Sequence, residues 1–429
     1  MTRLWRSLDS NMRILVVLNF VMAASVSMYA SLLVPWYRSL GHDSGAVGTL
    51  SSIMQVVSAM AAVVGGVLAD RYGRRGLFLL GQMLRCAAVA TLFVARSFLG
   101  LAVLSIMRGM ASVQSPAQSA LTAEYTDEHN RATAIGLSLA AMYLATVIAP
   151  AVAGPLADRL GAKVPFVIAL VLAALSWLLT IPLKERAPAD RSPSAADLPG
   201  TAKELQTGEP GTSITATAPH PSHSLSSCLR RMFVGRRGLH AALVLASTGT
   251  DGILNGAFGV LLPLFVMDTF KAGFSQVALL STFVSLGSVA VQVLGGKVAD
   301  QIGRRRVILA TGVASLAVVA LLPYAGSLLK IYLLLFLAST VANAAGPALS
   351  AVLVEVVGEE DRATFSGVAT GVAAAGMGLG AWVAGIWYGA GFAVSWFGLI
   401  VGSSLASLVA RHFGLPRDGK RAAEGRDRE

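Results

Sequence analysis

The chain has 429 residues, of which 55% are hydrophobic and only 13% charged. Soluble domains carry about a quarter charged residues, so this balance excludes a soluble enzyme or binding module and indicates a polytopic membrane protein. The formal net charge of +11 does not mark a nucleic-acid partner, because the basic residues are confined to particular loops.

A helix needs about 20 apolar residues to cross the hydrocarbon core. Twelve stretches qualify: 13–35, 46–69, 76–95, 98–123, 131–157, 163–183, 238–266, 274–299, 305–325, 328–355, 363–389 and 391–413. They lack the period of two that a barrel strand would show. The first follows a basic N-terminus, as a signal peptide would. Its apolar run is long and no convincing cleavage site precedes the next span, so an uncleaved first helix is expected.

In chain order, residues 1–183 hold six spans and are expected to form an N-terminal bundle. Span two ends in a basic, glycine-flanked turn, GGVLADRYGRRG at 65–76. Arg85 sits about nine residues into span three, on the order of 13 Å deep at the helical rise. Arg108 reaches a similar depth in span four from the other face. Beyond it, residues 116–133 read PAQSALTAEYTDEHNRAT. Residues 184–237 are rich in Pro, Ser, Thr, Ala and Gly and end in Arg230-Arg231 and Arg236-Arg237, which predicts a flexible linker that buries no core. Asp251 lies about thirteen residues into span seven, at roughly mid-membrane depth.

The basic turn then recurs as GGKVADQIGRRR at 295–306. Asp70 aligns with Asp300, Gly73 with Gly303, and Arg74-Arg75 with Arg304-Arg305, at an offset of 230 residues. At an offset of 231, residues 347–364 read PALSAVLVEVVGEEDRAT and pair Pro116 with Pro347, Glu124 with Glu355 and Arg131 with Arg362. Pro35 and Gly45 match Pro263 and Gly273 at 228. Residues 238–413 are thus a second bundle, followed by a charged tail at 414–429. Because each half has an even number of spans, the repeats are parallel. The expected fold class is an all-α membrane protein with 12 transmembrane helices in two pseudo-symmetric six-helix bundles.

With both termini cytoplasmic, 26 of the 34 Lys and Arg fall in cytoplasmic segments, and 6 fall outside (Arg38, Arg96, Arg159, Lys163, Lys271, Lys330). That asymmetry follows the positive-inside rule, so basicity reports topology and contact with anionic lipid. A multi-pass protein of a bacterial inner membrane, acting as a monomer, is expected. Cys86 and Cys228 form no plausible pair, and no metal site or cofactor is expected.

The turn between spans two and three resembles the signature of the major facilitator superfamily, G-x-L-A-D-R-x-G-R-[RK]. Gly66, Leu68, Ala69, Asp70, Arg71, Gly73, Arg74 and Arg75 match it without a gap. The second copy departs at Val298 and Gln301. In span four, Arg108 and Gln114 match a second family motif, with Ser115 where the family has Gly. In span five, Gly136, Ala149-Pro150 and Gly154-Pro155 match in part a motif of the drug/proton antiporters, with Ala149 in place of Gly. The resemblance implies alternating access between two rocking halves, with spans one, four, seven and ten lining the cavity.

It further implies that Asp70 meets the N-terminus of span eleven near Arg362 and an Arg at the inner end of span four or five, as a conformational lock. A carboxylate gains about 0.3–1 kcal/mol at a helix N-terminus. Gly73 permits the tight turn. Arg71, Arg74 and Arg75, with Asp300, Gly303, Arg304 and Arg305, belong to the same gate or serve only to fix topology. Glu124, Arg131, Glu355 and Arg362 are expected to form a charge cluster closing the cytoplasmic side, or to be solvated loop ends.

Ionisable residues within spans are costly and are functional candidates. The three here break the repeat: Arg85 and Arg108 align with Ser315 and Ser339, and Asp251 with Ala23. Asp251 is expected to be the protonatable or cation-facing group, or else an Asp hydrogen-bonded to Thr248, Thr250 or Asn255. The resemblance gives Arg108 the role of tuning a proton site or holding an anionic group. Arg85 is either paired to carbonyls or in contact with substrate. Asn19, Tyr29, Gln114, Gln118, Asn255 and Asn343 could orient a ligand or pack helices. Trp382, Trp387, Tyr388 and Trp396 suggest an aromatic belt, and Gly371, Gly376, Gly378, Gly380 and Gly385 close helix contacts.

No Walker loop, H-E-x-x-H motif or nucleophile elbow is present. The leading expectation is a proton-coupled exporter of small amphiphilic molecules, with substrate, protons and lipid as partners and no nucleic acid. The runner-up is an uptake permease for an organic anion or metabolite, anchored by Arg85 and Arg108. A non-transporting membrane sensor on the same fold is a third reading.

Overall fold

The computed structural model describes residues 10–125, 131–183, 235–292, 303–346, 349 and 362–415. Most of the expected linker, the tail from residue 416, and Asp300 and Glu355 lie outside the described residues. For Asp70, Arg71, Arg131, Arg304 and Arg362 the backbone is helical, while their side chains fall outside the description.

The described elements are helices that form twelve rods. In the first half these are Ser10–Ala30 with Leu33–Ser39, Ser44–Tyr72, Arg74–Thr91, Phe98–Met110 with Ser115–Glu124, Arg131–Leu160 and Lys163–Thr180. In the second half they are Gly235–Phe270, Phe274–Gln292, Arg304–Leu321, Leu328–Ala344, Arg362–Trp387 and the run from Phe392 to Gly414. Ten of the rods are long and apolar enough to cross a membrane, and Leu328–Ala344 is a shorter apolar helix. The remaining rod, Arg74–Thr91, is span three, which carries Gln82 and Arg85.

Local chemistry sets the rod ends. Ser97 and Ser327 cap spans four and ten, accepting from the N–H of Gly100 at 3.2 Å and of Lys330 at 3.4 Å. Gly73 and Gly303 turn the chain between rods at φ +87° and +100°, a region that a β-carbon disfavours. Span one bends at Ser31-Leu32, where the carbonyl of Ser31 loses its helical donor to Pro35. Pro116 likewise removes the donor for Ser112, and span four tightens to a 3₁₀ turn at Ala111–Gln114.

The halves meet through spans two and eleven and through spans five and eight. Within the second half, spans seven and eleven pack on glycine. A β-carbon on Gly256 would lie 2.0 Å from the Met377 carbonyl oxygen, and one on Gly380 2.1 Å from that of Ile253. Gly376, Gly378 and Gly385 make similarly close approaches, whereas a β-carbon on Gly371 would meet open space. Trp396 corrects the expected belt. It is fully buried and donates from Nε1 to the Val319 carbonyl at 3.1 Å, at the start of the wider π turn Trp396–Val401. Trp382 and Trp387 remain 45% exposed.

Candidate functional site

Spans one to four enclose a cavity of about 270 Å³ less than a full ligand pocket would need only in part; its measured volume is about 200 Å³. Tyr29, Arg85 and Arg108 reach it from three different spans, beside Met54 and the hydroxyls of Ser112 and Ser115. The 3₁₀ turn before Pro116 is what brings Ser112 to this wall. The Arg108 guanidinium lies 5.2 Å from the centre of the Tyr29 ring, a cation–π distance. Among the described residues no carboxylate pairs with Arg85 or Arg108. The Nε atoms of both are buried without a hydrogen-bond partner, so no carbonyl meets Arg85 there.

Three other expected cavity residues form a clasp between helices. Gln118 Nε2 donates to Asn19 Oδ1 at 2.7 Å, tying span four to span one. Gln114 is buried against the Met22 sulfur, which also receives Gln82 Nε2 at 3.3 Å. This arrangement turns Asn19, Gln114 and Gln118 towards helix packing.

A second cavity, of about 270 Å³, lies between spans seven, nine, ten and twelve. Asp251, Asn255 and Asn343 line it with Thr311, Ser407 and Arg411. Ser407 Oγ donates to Asp251 Oδ1 at 2.6 Å, and Arg411 Nη2 forms a salt bridge with Oδ2. The expected local partners turn elsewhere. Thr248 and Thr250 donate to carbonyls one turn back in their own helix, and Asn255 donates to the backbone carbonyl of Asp251. Asn343 bridges to Ser288 Oγ at 3.0 Å. Arg411 was not foreseen, since nothing near Asp251 in sequence points to a residue 160 positions away.

At the basic-turn face, Arg74 Nη1 pairs with the well-buried Glu124 at 3.1 Å. Arg75 donates to the Ile181 carbonyl at the end of span six, and Arg305 to the His412 carbonyl at the end of span twelve. The aligned arginines thus make the same contact in both halves, each binding the carbonyl end of a helix.

The opposite face joins the halves. Arg38 meets Asp268 at 3.1 Å, and Tyr388 donates to the same carboxylate at 2.7 Å. Asp158, at the end of span five, accepts from the backbone N–H of Phe274 at 2.9 Å and of Ser275 at 3.0 Å, and from the Ser275 hydroxyl. These N–H groups open span eight, so Asp158 caps it from the other half. A local signal for Asp158 exists in the sequence. Residues 154–161, GPLADRLG, match 66–73, GVLADRYG, at seven of eight positions other than the second and seventh residue choices allowed by the pattern G-x-L-A-D-R-x-G. Both copies end in a glycine at φ +87°.

A family model described as Major Facilitator Superfamily matches the chain twice, over residues 15–250 and 244–428. The multi-drug resistance efflux pump PmrA homolog of Lactococcus lactis is 28% identical over 166 residues, which are 38% of this chain and 41% of that protein. The multidrug resistance protein MdtH of Aeromonas hydrophila is 32% identical over 99 residues, 23% of this chain and 25% of that protein. The chain therefore spans less than half the length of these curated relatives. The crystal structure of the nucleoside transporter NupG superposes with a TM-score of 0.69 at 13% identity, covering 95% of this chain and 98% of that one. At that identity the likeness is one of fold alone.

Proposed function

The chain belongs to the major facilitator superfamily, and from that premise we propose that it is a proton-coupled exporter of small amphiphilic molecules working by alternating access. It is a transporter and not an enzyme. The observation that carries the proton reading is the contact of Asp251 with Arg411 and Ser407 beside the second-half cavity. A carboxylate held by a cation inside the bundle is a place where one proton changes a helix contact.

A proton on Asp251 discharges it and removes the charge that Arg411 and Ser407 hold. Hydrogen bonds to charged groups contribute about 1.5–3 kcal/mol, so losing the pair shifts a two-state balance by roughly tenfold to a hundredfold. Complete switching from 1:99 to 99:1 takes about 5.5 kcal/mol. The pair therefore biases the transition, and the remainder falls to substrate and to the gates. The route from Asp251 to the interface is short: span seven packs on span eleven, and span eleven on span two of the other half.

In this reading Asp70, Arg71, Arg74, Arg75, Glu124 and Arg131, with Asp300, Arg304, Arg305, Glu355 and Arg362, form the gate at the basic-turn face. Arg38, Asp158, Asp268 and Tyr388 form the opposing one. The names of the PmrA and MdtH relatives support export as the direction.

The test is proteoliposomes loaded with a pH-reporting dye and challenged with N-phenyl-1-naphthylamine, an uncharged amphiphile. Wild-type protein should move protons when the amphiphile is added. Asp251→Asn should abolish that flux while still purifying as a monodisperse species. Undiminished flux in the variant removes Asp251 from the coupling role. Absence of amphiphile-dependent flux in the wild type rejects the exporter reading.

A further inference from the structure

We propose that the first-half cavity binds the anionic headgroup of an amphiphilic ligand, with Arg85 and Arg108 as the paired anchors. This rests on the exporter reading and names the substrate class: an apolar body carrying a carboxylate, sulfonate or phosphate group.

Two guanidinium groups converge on one cavity from adjacent spans, and no carboxylate pairs with either among the described residues. Arginine stays protonated in proteins, so neither group escapes the cost of burial by losing its charge. An isolated buried cation is expensive, and the usual remedy is an anion in contact with it. The Tyr29 ring meets Arg108 through its π face. That contact leaves the Arg108 Nε without an acceptor, as it leaves that of Arg85. Each guanidinium presents a planar fork of N–H groups that suits a multi-oxygen anion. The hydroxyls of Ser112 and Ser115 supply further donors on the same wall.

Size divides the ligand. Pockets that take a whole drug-sized molecule run to about 300–1,000 Å³, and this one offers about 200 Å³. It can hold a headgroup and the first atoms of a body, with the apolar remainder outside. The repeat places the selectivity in one half, because the aligned residues of the second half are Ser315 and Ser339. The same two charges repel an organic cation at this position.

The experiment measures binding to the purified full chain in phosphatidylcholine nanodiscs. The probes are 8-anilinonaphthalene-1-sulfonate and N-phenyl-1-naphthylamine, which share a skeleton and differ by the sulfonate. Wild-type protein should bind the sulfonate at least about tenfold more tightly than the uncharged dye, the scale of one charged contact. Arg85→Gln and Arg108→Gln should each bring that ratio down at least about fivefold. Arg108→Lys, which keeps the charge, should hold it nearer the wild-type value and separates loss of charge from loss of fold. A wild-type ratio near one, or a ratio that neither Gln variant moves, overturns the proposal.

Two competitors identify the source of the anion. Displacement by benzenesulfonate supports a soluble amphiphilic anion, and displacement by phosphatidylglycerol added to the disc supports a lipid headgroup. Displacement by neither overturns the site. Sulfonate binding that depends on the arginines, in a protein whose proteoliposomes move no protons, would keep the site and reject the exporter reading.

Discussion

Asp158 shows what a single side chain contributes to the conformation of the whole. Its carboxylate accepts two backbone N–H groups at the start of a helix in the other half, where the helix dipole favours negative charge. Removing such a cap costs about 0.5–2 kcal/mol. Asp158→Ala should therefore open the face opposite the basic turns by roughly twofold to thirtyfold. Distances between spin labels on spans five and eight would report this, and an unchanged distribution would remove Asp158 from the gate. The pattern G-x-L-A-D-R-x-G was legible at both 66–73 and 154–161, but the residues each Asp meets were not. A partner 116 positions away is chosen by how helices pack, which leaves no local trace. The same holds for Asp251. Its place inside a span marked it as unusual, while Ser407 and Arg411 became visible only when span twelve was set against span seven.

At the scale of the element, the twelve rods were legible because apolar length adds up along the chain without reference to any partner. Their internal breaks follow from proline chemistry that is equally local, at Pro35 and Pro116. Register was harder, and Trp396 turned inward where periodicity placed it on a surface. The seven–eleven contact is the most demanding packing in the second half. A β-carbon at Gly256 or Gly380 would collide with backbone, which cannot move aside as a side chain can. Gly380→Val should destabilise the protein by at least about 1–3 kcal/mol, the usual cost of overpacking. Thermal unfolding in detergent should show a lower midpoint than for Gly371→Val, whose β-carbon meets open space. Equal midpoints would show that the two spans can part without loss.

For the molecule as a whole, the described contacts that join the halves by salt bridge and by helix cap sit on the face opposite the basic turns. Alternating access requires that face to open. With Cys86 and Cys228 first replaced by serine, Arg38→Cys and Asp268→Cys can be joined by a reducible bis-methanethiosulfonate reagent. Joining them should arrest transport, and reductant should restore it. Transport that survives the link would mean that this face does not open during turnover.

The recurrence of G-x-L-A-D-R-x-G on both faces bears on how the chain enters the membrane. The copy at 66–73 runs on into Arg74 and Arg75, whereas the copy at 154–161 runs on into Ala162 and Lys163. The insertion machinery reads the density of positive charge that follows a span. An almost identical turn can therefore be retained on one side and translocated to the other, with the orientation set by the two residues after the glycine. The octapeptide is a structural corner without an address, and the address is written immediately after it.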